Sequence, residues 1–336
     1  MEELVDPNLN ADAYRNLSSA SQQVDDRHLE VVLVYKDESL LVAASNMVDR
    51  CWFGTIWYYN DPAKYDHYKY TAAMRTESGV RVADYLGQHD KFVVGEDSGL
   101  IRIFEANFNA ETQSHELACT AFSCQHDDSL TAISVFKDDA NFVSSGMDSC
   151  IKVWDAAEMI ATSSFHQAQT DIVTCVETQP NSNSVFVSTS MDCEALLWDV
   201  RKFKPALGLW KKSGVGLTSV SWKFNDENIV AIGGIDGSIA IIDIRNLGAN
   251  PLHESIEFPR GVHKLLFSCN NPNQLAGCCD STEVKVFDTS DNCKTILNDD
   301  SHDDFVRGLA WHKSDLITCS WDNTVLRHPI TYPSKT

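Results

Sequence analysis

Residues 145–155 read SGMDSCIKVWD, residues 189–199 read TSMDCEALLWD, and residues 233–243 read GGIDGSIAIID. In each, an Asp stands in a turn, a large apolar residue follows six positions later, and a second Asp closes the run. Asp148 leads to Trp154, Asp192 to Trp198, and Asp236 to Ile242. Weaker copies extend the pattern both ways: FGTIWYY ends at Tyr59, SGLIRIFE reaches Phe104, STEVKVFD reaches Phe287, and WDNTVLRH ends at His328. The copies end at 59, 104, 154, 198, 242, 287 and 328, with spacings of 45, 50, 44, 44, 45 and 41 residues. That period is the WD repeat, four short strands to a blade. Runs such as VVLVY, KFVVGE and SVFVSTS have the β-branched, apolar character of such strands. A lone blade cannot bury both faces of its sheet, so seven copies predict an all-β, seven-bladed WD-repeat propeller closed into a ring.

The last copy leaves only PITYPSKT behind it, too short for a complete outer strand. The expected organisation is therefore an N-terminal arm, residues 1–27, and a propeller over 28–336. Part of residues 10–25 is expected to add the missing strand, covering a sheet edge and tying the two ends together.

Composition narrows the function. The 27 basic residues stand against 48 acidic ones, a formal charge of −21, which speaks against a nucleic-acid backbone partner and favours basic ones. The opening residues lack the apolar core of a secretory signal, and no apolar run approaches a membrane span. Eleven scattered cysteines without a CxxC pair point to reduced thiols in the cytoplasm and nucleus, with no metal site or cofactor. Gly214-Val215-Gly216 lacks the third glycine and the helix of a nucleotide-binding loop, and Lys211-Lys212 reads as a solvated blade edge.

His126, Ser144 and Asp148 mimic a hydrolase triad, as do His166, Ser188 and Asp192, and His302, Thr318 and Asp322. Their recurrence at blade spacing argues for structure instead. A buried indole N–H needs an acceptor, and Ser, His and Asp can relay one from strand to turn behind Trp154 and Trp198. Where Ile242 or His328 replaces Trp, the relay must be altered or absent.

The binding surface shows in the first copy, Asp49-Arg50-Cys51-Trp52-Phe53-Gly54. Two aromatics and an Arg beside a turn suit a partner hot spot. The first and last blades are neighbours, so Trp52 is expected near Trp321 and the loop bearing Asp304 and Phe305. Arg50, Trp52, Phe53, Asp304, Phe305 and Trp321 are thus the expected partner-binding set, an aromatic patch with an acidic rim suited to Arg side chains.

DRCWFGTIWYYNDP (49–62), CIKVWDAAEMI (150–160), LLWDVRKFKPA (196–206) and SHDDFVRGLAW (301–311) resemble the methylosome protein 50 family of WD-repeat proteins, in order along nearly the whole propeller. The resemblance does not extend to residues 1–27. It implies a non-catalytic adaptor that docks on the N-terminal barrel domain of the protein arginine methyltransferase making symmetric dimethylarginine. It also implies a hetero-octamer, four plus four, with the residue matching Trp52 as a central anchor. Arg-rich histone tails and Sm proteins are the implied substrates. The alternative is a substrate receptor of a cullin–RING ubiquitin ligase, since Trp198-Asp199-Val200-Arg201 fits the W-D-x-R pattern of such receptors.

Overall fold

The computed structural model describes residues 28–330, apart from 37, 49–50, 67–68, 111–113, 203 and 247–249. Seven antiparallel sheets follow one another along the chain. Blade 1 comprises β1 (Leu29–Tyr35), β2 (Ser39–Val48), β3 (Cys51–Tyr59) and β4 (Ala72–Thr76). Blade 2 comprises β5 (Val80–Gln88), β6 (Lys91–Glu96), β7 (Leu100–Asn109) and β8 (Ser114–Cys124). Blade 3 comprises β9 (Leu130–Val135), β10 (Asn141–Gly146), β11 (Ile151–Asp155) and β12 (Ile160–Phe165). In blade 4 these are β13 (Val173–Thr178), β14 (Val185–Ser190), β15 (Glu194–Asp199) and β16 (Leu207–Lys211). In blade 5 they are β17 (Leu217–Trp222), β18 (Ile229–Gly234), β19 (Ser238–Asp243) and β20 (His253–Ile256). Blade 6 is formed by β21 (Val262–Phe267), β22 (Gln274–Cys279), β23 (Val284–Asp288) and β24 (Lys294–Asp299). Blade 7 has three strands among the described residues, β25 (Val306–His312), β26 (Asp315–Ser320) and β27 (Val325–Pro329). The strand expected from residues 10–25 lies outside the described residues.

The alternation of strand side chains puts apolar residues on both faces of the inner three strands, and each face packs against the next blade. Between blades 1 and 2 lie Leu41, Ile56, Tyr58, Phe92 and Phe104; between blades 3 and 4, Val143, Phe186 and Trp198. Blade 1 meets blade 7 through Val42, Trp57, Ile317 and Cys319, which closes the ring. The turn after the second strand places the residue following its Asp or equivalent in the left-handed region, with Ser149 at φ 58°, Cys193 at 73° and Asn323 at 67°. Glycine fills that place as Gly99 and Gly237, where a Cβ would also run into the carbonyl of His126 or Phe258 in the following loop.

Each innermost strand carries a one-residue bulge near its start, at Glu30, Arg81, Thr131, Thr174, Thr218, His263 and Arg307. These seven equivalent positions stitch blade to blade. Thr131 donates to Val173 O at 2.6 Å, Thr174 to Leu217 O at 2.7 Å, and Thr218 to Val262 O at 2.5 Å. On the other four blades the same position is ionisable. A second tier lies further along the strands. Asp84, Ser134, Glu177 and Ser221 accept the backbone N–H groups of Val135, Thr178, Trp222 and Phe267 at 2.9, 3.0, 3.0 and 3.1 Å.

Candidate partner-binding face

Two of the three triad-like sets resolve into buried struts as they stand, and the third does so with one residue exchanged. In blade 3, Trp154 Nε1 donates to Ser144 Oγ at 2.8 Å, Ser144 lies 2.8 Å from His126 Nε2, and His126 Nδ1 lies 2.9 Å from Asp148 Oδ2. One neutral tautomer satisfies every group: Ser144 O–H donates to Nε2, and Nδ1–H donates to the carboxylate. Asp148 also accepts the Cys150 N–H at 3.0 Å. Burial opposes its ionisation, but the bonds from His126 and from backbone N–H groups outweigh it and hold its pKa below the ordinary value. With Ser144 and Trp154 wholly buried, no substrate reaches the hydroxyl.

Blade 4 corrects one expectation. Trp198 donates to Ser188 Oγ at 2.8 Å, but Ser188 then donates to Gln169 Oε1 at 2.7 Å, and Gln169 Nε2 reaches Asp192 Oδ1 at 3.2 Å. His166 is exposed and outside this network. The cause is loop length. The relay residue precedes the innermost strand by four positions in every complete set, as with His126 and Leu130, His302 and Val306, and Gln169 and Val173. His166 comes three residues too early. Counting back from the strand finds Gln169 in the sequence itself.

In blade 7, His302 binds Asp322 Oδ2 at 2.8 Å and Thr318 Oγ1 at 2.7 Å. His328 stands where Trp stands in blades 3 and 4, and its Nε2 lies 2.9 Å from Thr318 Oγ1. The relay is thus kept, with an imidazole N–H replacing the indole. Burial lowers the pKa of His328, which favours this neutral donor form.

The candidate surface residues divide. Trp52, at the start of β3, is 52% exposed, while the adjacent Phe53 is buried, with the Arg75 guanidinium 3.5 Å from its ring centroid. Phe53 therefore does not stand beside Trp52 on the surface. β2 and β3 pair without a register break, so side chains alternate strictly. Trp52 shares its face with Ile56 and Tyr58, which pack toward blade 2. Phe53 shares the opposite face with Trp57 and Tyr59, toward blade 7. This corrects the expectation that Trp52 approaches Trp321. Arg50 lies outside the described residues.

Phe305 and Trp321 are half-buried and serve the ring's own closure. Their rings meet edge to face at 5.4 Å, and the Arg307 guanidinium lies over both, at 4.4 Å from Trp321 and 5.4 Å from Phe305. Trp321 Nε1 donates to Glu30 Oε1 at 3.0 Å, and Arg81 reaches the same oxygen at 3.3 Å, so one carboxylate joins blades 7, 1 and 2. Burial raises the Glu30 pKa against the pull of Arg81 and Arg307. Arg307 also bonds Asp280 at 3.0 Å and His263 Nδ1 at 2.9 Å. Burial, and then the Arg307 cation, hold His263 well below its ordinary pKa and so neutral. Asp304 caps its own loop through the Phe305 N–H at 2.7 Å and stays partly exposed. Sequence reading missed Glu30, Arg81 and Arg307, because their partners come from the far end of the chain or from another blade.

The W-D-x-R match is satisfied locally. Arg201 binds Asp199 through Nε at 2.8 Å and Nη2 at 2.7 Å, and Arg245 repeats this on Asp243 at 2.9 and 2.6 Å. Two such pairs in successive blades mark a turn motif. Among the described residues, no three His, Cys, Asp or Glu side chains are placed to hold a metal ion, and no helix is long and apolar enough to cross a membrane.

The architecture defines a seven-bladed WD-repeat propeller. The profile of the WD domain, G-beta repeat, matches residues 118–155, 158–199 and 292–326, which end in the three blades with complete struts. Each matched segment also takes in the outer strand of the preceding blade, so repeat and blade are offset and interlock. Methylosome protein WDR77 of Xenopus laevis is 31% identical over 90% of this chain and 89% of its own length. Protein valois of Drosophila melanogaster is 26% identical over 96% of this chain and 92% of its own. E3 ubiquitin-protein ligase COP1 of Arabidopsis thaliana is 24% identical over 68% of this chain but only 33% of its own length. The chain belongs to the methylosome WD-repeat protein family.

Proposed function

We propose that this propeller is a non-catalytic adaptor of the methylosome. It binds a type II protein arginine methyltransferase through the blade 1 edge centred on Trp52, in a hetero-octamer of four plus four, and helps present Arg-rich histone tails and Sm proteins. It works in both cytoplasm and nucleus. The observation that carries the reading is Trp52, a large aromatic held half out of a rigid strand beside a buried neighbour. A surface indole on an ordered element loses little entropy on binding and suits an interface anchor. Kinship with a protein named for the methylosome supplies the partner class. Ser144, Ser188 and Thr318, the hydroxyls of the triad-like sets, are all occupied in buried struts, which supports a scaffold role over catalysis.

The net charge of −21 supports the substrate half of the reading, since a negative surface raises the encounter rate of basic tails. Tethering them beside the enzyme raises their effective concentration without chemistry by this chain. Trp52→Ala tests the docking half. The variant should keep the melting profile of the parent yet fail to co-purify with the methyltransferase; retained co-purification at physiological salt refutes the assignment. Native mass spectrometry of the parent complex reads partner and stoichiometry together, and a ligase adaptor in place of the methyltransferase would favour the receptor reading.

A further inference from the structure

The 50-residue spacing between Phe104 and Trp154 is the longest in the repeat, and its extra residues have a definite place. In blade 3 the outer hairpin ladder ends at Asp155 opposite Ile160. In blade 2 the matching pair is Glu105 opposite Ala118, and the ladder runs on through Ala106–Leu117, Asn107–Glu116, Phe108–His115 and Asn109–Ser114. This overhang of β7 and β8 stands at the end of the propeller opposite the Asp turns. It walls a cleft of about 440 Å³ between blades 1 and 2.

The chemistry of the cleft is one-sided. Among the described residues that line it, Glu38 and Asp90 are acidic and none is Lys or Arg. Two imidazoles also line it, His89, whose Nδ1 is 4.0 Å from Glu38, and His115. Asp90 Oδ1 is buried and has no hydrogen-bond partner among the described residues, an arrangement that costs free energy until a donor arrives. Aromatic surface completes the wall: Tyr58 at the floor, and Phe108 packed edge-on against His115 at 5.2 Å while remaining 56% exposed. A carboxylate oxygen lacking a donor, near an exposed aromatic ring, suits a planar, weakly hydrated, multi-donor cation.

We propose that this cleft takes an arginine side chain from a basic peptide. The proposal rests on the substrate-presenting half of the function above and is tested apart from methyltransferase docking. A fluorescein-labelled peptide of repeated Gly-Arg-Gly is titrated with the full chain in about 150 mM salt and followed by anisotropy. Asp90→Asn should weaken binding about tenfold, the loss of one charge-assisted hydrogen bond. Phe108→Ala should weaken it severalfold, and because Phe108 is largely exposed this variant tests the cleft even where Asp90→Asn disturbs folding. Asp291→Asn, on an exposed turn of blade 6, should bind like the parent. Replacing each peptide Arg by citrulline, which is neutral, should abolish the signal. Equal losses in Asp90→Asn and Asp291→Asn would show diffuse attraction to an acidic protein and overturn the proposal, as would absence of saturable binding to the parent. Neither result bears on co-purification through Trp52.

Discussion

Ser144→Ala removes one oxygen from the centre of the blade 3 strut. That oxygen accepts the Trp154 indole N–H and meets His126 Nε2, each at 2.8 Å, and all three side chains are buried. The indole cannot swing toward water, because its ring stacks on Phe142 with centroids 5.8 Å apart and planes 7° from parallel. Alanine therefore strands one donor and one ring nitrogen. At about 1–3 kcal/mol for each unsatisfied buried group, the loss should be about 2–6 kcal/mol. Equilibrium urea unfolding followed by tryptophan fluorescence measures it, with a lower midpoint expected at unchanged slope. Ser188→Ala should cost a similar amount, since it strands Trp198 and Gln169 in the same way. Adding Trp154→Phe to Ser144→Ala should recover part of the loss, because the stranded N–H is then gone. Losses below about 1 kcal/mol in both single variants would refute the strut.

Other consequences can be checked with the same assay. Gln169→Ala should destabilise blade 4 by about 1–3 kcal/mol, while His166→Ala should stay within about 0.5 kcal/mol of the parent; the reverse order would restore His166 to the relay. Burial pushes the Glu177 pKa up from 4.5 to about 8, against the bond from the Trp222 N–H. The folded state thus holds a proton that the unfolded state has released, so stability should fall as pH rises from about 5 to about 8. Glu177→Gln keeps an acceptor for Trp222, and should flatten that slope and gain stability at about pH 8; a slope unchanged from the parent refutes this. Glu30→Ala leaves the Trp321 N–H unpaired and Arg81 without its buried carboxylate. It should cost about 2 kcal/mol or more and speed proteolysis at the seam of blades 7 and 1; parent-like resistance would show that closure does not depend on it.

The fold was legible because the repeat is long and its turn chemistry local. An Asp accepting the N–H two residues on, a left-handed residue between, and an alternating apolar strand write each blade into about 45 residues. The Trp–Ser/Thr–His–Asp struts were legible wherever a His stands four positions before the innermost strand, and failed at His166, which stands seven positions before it. Trp52 was legible as an aromatic out of place beside a turn. That Phe53 is buried under Arg75 was not, because the side that each residue of β3 presents depends on its pairing with β2 and on which blade packs against each face.

By itself the sequence determined the all-β repeat architecture, the number of blades, the acidic character and the family, since each follows from local periodicity, composition or motif. Tertiary structure alone decided which candidates share a surface. Phe305 and Trp321 looked like a partner patch, yet with Arg307 and Glu30 they hold the ring shut. The spacing of 50 shows in the sequence only as a number, yet its extra residues wall a cleft with a carboxylate oxygen that has no partner among the described residues. Ring closure brings residue 30 against residue 321, and a separation of 291 positions leaves no local pattern from which that contact could be read.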